Sequence, residues 1–199
     1  TASAFYAPIV TSAAEVFDGT AVRLSELDPA NNKRYSGGDI GFGRLFADMY
    51  KDIARYVPER KKWYIFDGKR WVADIGGLQA MELAKELSDA LVVYTASIRE
   101  ETRRAVFLEF CKKWIQRRFR ETYLKEAQSV YPVSMERFDV DRYLLNCNNG
   151  TLDLRTMEFR EHRPEDFLTK MTSVYYVPSA TSTRFNKFIE EIAWLRHQW

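Results

Sequence analysis

Five of the nine residues from Lys112 to Arg120 are cations: Lys112, Lys113, Arg117, Arg118 and Arg120. On one continuous helix, Lys113, Arg117 and Arg120 would share a face while Trp114 and Ile115 turn inward. Such a face can neutralise nucleic-acid phosphates. It can equally be a solvated face, paired in part with Glu109, Glu121 and Glu126. A smaller basic group, Arg60, Lys61, Lys62, Lys69 and Arg70, surrounds a stretch that reads as a β-hairpin. Trp63 or Trp71 would stack on bases if exposed, and would pack the hairpin if buried.

The acidic residues offer a different chemistry. Asp139 with Asp141, Glu165 with Asp166 and Glu190 with Glu191 are close pairs. A two-metal nuclease needs carboxylates converging on ions about 4 Å apart. Asp139, Asp141 and Asp153 are the candidates, although a cap or turn role suits Asp139 and Asp141 better. His162 and His197 lack a Cys or His at zinc spacing, so His162 is expected to make a structural hydrogen bond. Cys111 and Cys147 also lack ligand spacing and are expected to be reduced packing residues. Gly37, Gly38, Gly41 and Gly43 precede or open a helix, but no Gly-Lys-Ser/Thr follows them. A loop-and-cap role is expected rather than a phosphate-binding loop.

Elements must position these groups. Asp39 reads as the N-cap of a helix carrying Phe42, Leu45, Phe46 and Met49 at helical spacing. Trp63 to Val72 is a hairpin around Asp67-Gly68, because Gly tolerates the positive φ of the turn. Leu78 to Ile98 has a helical stripe of Ala84, Leu87, Leu91, Tyr94 and Ile98. A second helix is predicted from Glu101 to Gln128, with Phe107, Phe110, Cys111, Trp114, Ile115, Phe119 and Tyr123 on its buried face. Ser134 to Phe138 can add one turn. Leu144 to Leu154 predicts short strands about Asn149-Gly150, and Val174 to Pro178 a further strand. Thr183 to Trp199 is predicted as an amphipathic helix bearing Phe185, Phe188, Ile189 and Ile192. Residues 1–36 read as weakly structured, or as an arm from a preceding domain.

The chain has 199 residues, enough for one large domain or two small ones. Its 15% aromatic content argues against disorder, and its net charge of +2 excludes a histone-like protein. The apolar run from Ala90 to Tyr94 is far short of a membrane span. No signal-peptide pattern opens the chain. It starts at Thr1 rather than Met, as expected of a fragment, a processed form or an excised domain. These residues predict an α+β fold, mainly helical with small antiparallel β-hairpins, and no convincing catalytic site.

Four segments in order resemble the domain that precedes the superfamily 3 helicase in phage/plasmid primases and poxvirus-type primase-helicases. The first is Asp39-Ile40-Gly41-Phe42-Gly43-Arg44-Leu45-Phe46. The second runs from Ala54-Arg55-Tyr56-Val57-Pro58-Glu59 to Lys62-Trp63-Tyr64-Ile65-Phe66-Asp67-Gly68-Lys69-Arg70-Trp71. The third is Leu144-Leu145-Asn146-Cys147-Asn148-Asn149-Gly150-Thr151-Leu152-Asp153-Leu154-Arg155-Thr156. The fourth is His162-Arg163-Pro164-Glu165-Asp166-Phe167-Leu168-Thr169-Lys170, leading to Tyr176-Val177-Pro178 and Phe185-Asn186-Lys187-Phe188. Each motif alone is weak, and the ordered set is more specific. Met157 departs from the family, which often has Gly in that turn, and so does the tail after Ile192.

The resemblance implies a DNA-replication protein of a phage, plasmid or virus, acting in the bacterial cytoplasm or that of an infected cell. It implies a primase before this stretch and a hexameric, ATP-driven helicase after it. The stretch between them would link, help the ring assemble and contact single-stranded or forked DNA. ATP and magnesium would belong to the helicase, with no cofactor here. Residues 1–36 would be an arm or linker and 37–192 the helicase-adjacent domain, with sub-units 37–132 and 133–192. Residues 193–199 would be a truncated or altered tail. The DNA-contacting residues expected from charge are Lys112, Lys113, Arg117, Arg118, Arg120, Lys62, Lys69 and Arg70. Two alternatives stay open: an oligomerisation collar that binds no DNA, and a metal-dependent nuclease using Asp139, Asp141 and Asp153.

Overall fold

The computed structural model describes residues 13–36 and 38–196, with backbone alone for 13–18 and 193–196. Its described part has six α-helices and two three-stranded antiparallel sheets. The mainly helical α+β expectation therefore holds. Helices α1 (Ala13–Leu27), α2 (Asp39–Tyr50) and α3 (Leu78–Tyr94) pack with α4 (Glu101–Ile115) and α5 (Arg117–Ala127). Strands β1 (Ala54–Val57), β2 (Lys62–Phe66) and β3 (Trp71–Ala73) form the first sheet. Strands β4 (Leu144–Cys147), β5 (Gly150–Asp153) and β6 (Glu158–Arg160) form the second, and α6 (Thr183–Arg196) follows.

The first sheet is the middle layer. Its side chains alternate between faces, as the strand period requires. Ala54, Tyr56, Trp63 and Ile65 face the helices, where Phe42, Phe46, Leu87, Leu91, Trp114 and Tyr123 complete the main core. Val57, Tyr64, Phe66 and Trp71 face the other way, onto Phe138, Val133, Met135 and Phe167. Trp71 stacks on Phe167 at 5.7 Å, and its indole N–H donates to the Pro164 carbonyl at 2.8 Å. Both tryptophans of the hairpin are thus packing residues. The Asn146 amide ties the second sheet down by donating to the Lys69 and Lys170 carbonyls, both at 3.0 Å.

Several expectations change. Residues 1–12 lie outside the described residues, but 13–27 of the expected loose arm form α1, and Leu24 reaches the main core. The Gly38 backbone, at φ 65°, takes the N-cap place expected for Asp39, which stands in the first turn. Gly37 lies outside the described residues. Gly41 and Gly43 are buried inside α2 rather than in a loop. A Cβ on Gly43 would lie 2.5 Å from Glu126 Cβ, so glycine there permits the close approach of α2 to α5.

The helix predicted over Glu101 to Gln128 is two helices. Gln116 is extended, at φ −85° and ψ 129°, and separates α4 from α5. The carbonyls of Trp114 and Ile115, freed by the break, accept from Arg120 Nη1 at 2.8 and 2.6 Å. The periodicity on both sides is helical, so the sequence pattern alone ran through the break.

Val174 to Pro178 is not a strand. The Val174 carbonyl accepts from Asn148 N at 2.9 Å, and the Asn149 side chain bonds both the N–H and the carbonyl of Tyr176. These isolated anchors hold an extended segment with Val174, Tyr175 and Val177 exposed, where a ladder would need paired backbone. Met157, the departure from the family's glycine, has φ 59°, a left-handed conformation that glycine adopts without strain. Helix α6 forms as expected as far as Arg196, with 197–199 outside the described residues. Its stripe of Phe185, Phe188, Ile189 and Ile192 is exposed.

Candidate nucleic-acid interface

The break at Gln116 redistributes the cations of the basic stretch. Lys112 and Lys113 stay in the last turn of α4, and Lys112 pairs with Glu109. Arg118 lies over the Phe119 ring at 4.7 Å. Arg120 is committed to the two carbonyls at the end of α4. Its position corrects the expectation that Lys113, Arg117 and Arg120 form one continuous face, because an extended residue stands between the first and the other two. Arg117 opens α5 with its side chain 81% exposed, paired to Glu121 at 2.8 Å.

The hairpin cations also separate. Lys69 and Arg70 belong to the β2–β3 turn, where Lys69 Nζ donates to Asn148 Oδ1 at 2.7 Å and Arg70 lies 3.9 Å from Asp67. Lys61 and Lys62 lie at the other end of β2. Pro58–Arg60 turns the chain there, and Lys61, at φ 52°, completes the turn.

The fold then brings Lys62 and Arg117, far apart in sequence, to one cleft of about 620 Å³. Lys61 and Lys125 line it as well. Its apolar wall is Tyr56, Trp63, Leu78, Met81 and Leu124. Two acids reach it, and both are engaged. Glu121 holds Arg117. Asp74 is buried and accepts from Gln79 N at 3.1 Å and Ala80 N at 2.9 Å, which satisfies the first turn of α3. Four cations against two carboxylates, one of them paired with Arg117, leave the cleft with a positive surplus above an apolar floor. Lys112, Lys113, Arg118, Arg120, Lys69 and Arg70 do not line it. Lys125 carried no sequence signal of its own: its place follows only from the packing of α5 beside the hairpin.

A second charged cluster lies elsewhere and has the opposite character. Asp48 on α2 is 8% exposed. It accepts from Arg34 Nε at 2.5 Å, Arg34 Nη2 at 3.1 Å, the Tyr35 hydroxyl at 3.0 Å and the Tyr131 hydroxyl at 2.7 Å. Burial alone would raise the Asp48 carboxyl. The hydrogen bonds from Arg34, Tyr131 and Tyr35 and the Arg34 charge outweigh it and hold the group below its ordinary value. This node ties the segment before α2 to the loop after α5, and no sequence motif marks it.

The carboxylates of the nuclease alternative are also turned to protein partners. Asp141 and Asp153 both grip Arg155 Nη2 at 2.8 Å, and that guanidinium holds Asp153 at about 2. Asp139 accepts from the Thr169 hydroxyl at 2.5 Å and the Thr169 N–H at 2.8 Å. Among the described residues no group of three or more His, Cys, Asp or Glu side chains is placed to hold a metal ion.

His162 is half-buried, and burial pushes its imidazole down. The Asn148 backbone opposes that shift in part, but neither ring nitrogen reaches full hydrogen-bond geometry with a partner among the described residues, so the expected structural bond is at most a weak one. Both cysteines are buried and unpaired with each other, and burial pushes the Cys111 thiol up to about 12. No described helix is long and apolar enough to cross a membrane.

Comparison with known proteins gives one family. The model described as "D5 N terminal like" matches residues 43–194. This is the domain found ahead of the superfamily 3 helicase in D5-type primase-helicases. No curated protein matches the chain significantly.

Proposed function

The chain belongs to the D5 N-terminal-like family, and on that premise we propose that it is the non-catalytic, DNA-engaging linker region of a phage, plasmid or viral primase-helicase. It joins a primase to a ring helicase and guides single-stranded or forked DNA between them. The single observation that carries the DNA part of this reading is the cleft of Lys61, Lys62, Arg117 and Lys125. Cations on two separate elements face one channel and outnumber the carboxylates there, Asp74 and Glu121. Phosphates of a nucleic-acid backbone supply the missing negative charge. No cofactor is assigned to this stretch; ATP and magnesium belong with the helicase domain of the parent.

Fluorescence anisotropy with labelled single-stranded and forked oligonucleotides tests this, with light scattering on the same samples. The expected result is binding that weakens steeply as salt rises from low to physiological. Absence of binding at low salt contradicts it.

A second reading has its own observation. The exposed stripe of Phe185, Phe188, Ile189 and Ile192 on α6 is the kind of apolar face that buries on association. A chain that forms a defined oligomer without binding DNA is a collar for the helicase ring. The same light-scattering data separate the two readings.

A further inference from the structure

The lip of the cleft carries a feature that neither packing nor charge accounts for. Between β3 and α3 the chain runs Ile75-Gly76-Gly77-Leu78. Ile75 is 74% exposed and Leu78 is 59% exposed. Gly76 and Gly77 have φ 73° and 70°, two successive left-handed residues that only glycine adopts cheaply. The turn is braced rather than loose. Asp74 N donates to the Trp63 carbonyl at 2.8 Å, and the Asp74 carboxylate accepts from the N–H groups of Gln79 and Ala80. A fixed turn therefore holds two large aliphatic side chains in water. Leu78, Gly76 and Gly77 line the same cleft as Lys61, Lys62, Arg117 and Lys125.

We infer that this turn is a base-contacting element, and that the cleft takes an unpaired nucleic-acid strand in preference to a duplex. The inference rests on the nucleic-acid reading above and adds what part of the ligand is recognised. Cations hold the phosphates. Leu78, which lines the cleft, and Ile75, which stands on the same turn outside that lining, meet the faces or edges of unstacked bases. Apolar side chains cover base surface at no unstacking cost where the bases are already open, whereas in a duplex they must first unstack a step. In a duplex the bases are shielded, and the turn gains less. Charge complementarity selects a polyanion, and the adjacent apolar pair selects one whose bases are open.

The test uses the full chain and three probes: oligothymidine of about 15 nucleotides, a duplex of the same length, and an abasic strand of the same length. The unaltered chain binds oligothymidine more tightly than either other probe. The double variant I75S/L78S loses about tenfold on oligothymidine and less than about twofold on duplex and abasic strand, with an unchanged salt slope. Both side chains are exposed, so its thermal midpoint stays close to that of the parent. The gain variant I75F, which adds a stacking ring, tightens oligothymidine binding about threefold.

Equal losses on all three probes, or no change in either variant while the parent binds with normal salt dependence, overturn the base-contact inference and leave the phosphate cleft standing. Failure of the parent to bind any of the three overturns both readings. Capture by anionic lipid vesicles in that case reassigns the turn to a membrane surface.

Discussion

Two charged clusters among the described residues do opposite things. At Asp48 the guanidinium of Arg34 and two tyrosine hydroxyls converge on one buried carboxylate. At the cleft, Lys61, Lys62 and Lys125 face open solvent across an apolar floor, beside Arg117 in its exposed pair with Glu121. Residue counts treat the two alike. Burial separates them: a charge withdrawn from water must be bonded within the protein, whereas a solvated charge remains free to meet a ligand. The Asp48 node holds segments together. The cleft leaves its surplus charge to solvent, which is what the proposed nucleic-acid reading requires.

The strongest way to break this contrast is at the node. Asp48→Ala leaves Arg34 and two hydroxyls without their acceptor, and is expected to cost about 3 kcal/mol of unfolding free energy by urea titration. A cost below about 0.5 kcal/mol would place Asp48 among ordinary surface charges. The pH dependence sharpens the point. The folded Asp48 carboxyl lies below its ordinary value of 3.8. Its stabilisation is therefore complete at neutral pH and fades as pH falls below that value. The gap between parent and variant should narrow only in that acid range.

Next comes the cleft. The double variant K62E/R117E is expected to weaken single-strand binding about thirtyfold and to change stability by less than about 0.5 kcal/mol. Loss of stability in place of binding would make the cleft a second structural node.

Arg120→Ala separates the cation that caps α4 from those that face the cleft. It is expected to cost about 1 kcal/mol of stability and to change DNA affinity less than about twofold. The smallest effect is at Glu121. E121Q releases Arg117 from its partner and is expected to tighten DNA binding about twofold, as read by anisotropy at low salt.

Sequence reading found the elements better than it found the site. The hairpin about Asp67-Gly68 and the stripe on α3 were legible, because strand alternation and helical spacing follow directly from which face is buried. The break at Gln116 was not, since apolar spacing continues on both sides of a single extended residue. That one residue decides the basic stretch. It removes Arg120 from the charged face and delivers Arg117 to a hairpin more than fifty positions earlier in the chain. Lys62 and Arg117 were both candidates by charge, but nothing local pairs them. Lys125 and the Gly76-Gly77 turn carry no local signal of a site. An isolated lysine on an amphipathic helix is ordinary, and the Gly-Gly pair gains meaning only from the exposed side chains beside it. The Asp48 node is a long-range contact in which Tyr131 reaches across 83 positions.

On the proposed nucleic-acid reading, the cations of the cleft, and not those of the α4 end, carry the phosphate contacts. The most direct measurement is the slope of log affinity against log salt for oligothymidine, compared across the parent, K62E/R117E and K112E/K113E. Four phosphate contacts on a single strand give a slope of about −3 for the parent. Loss of two of them brings K62E/R117E to about −1.4, while K112E/K113E stays near the parent value. A flattened slope in K112E/K113E with an intact slope in K62E/R117E would contradict the account and return the binding face to the end of α4.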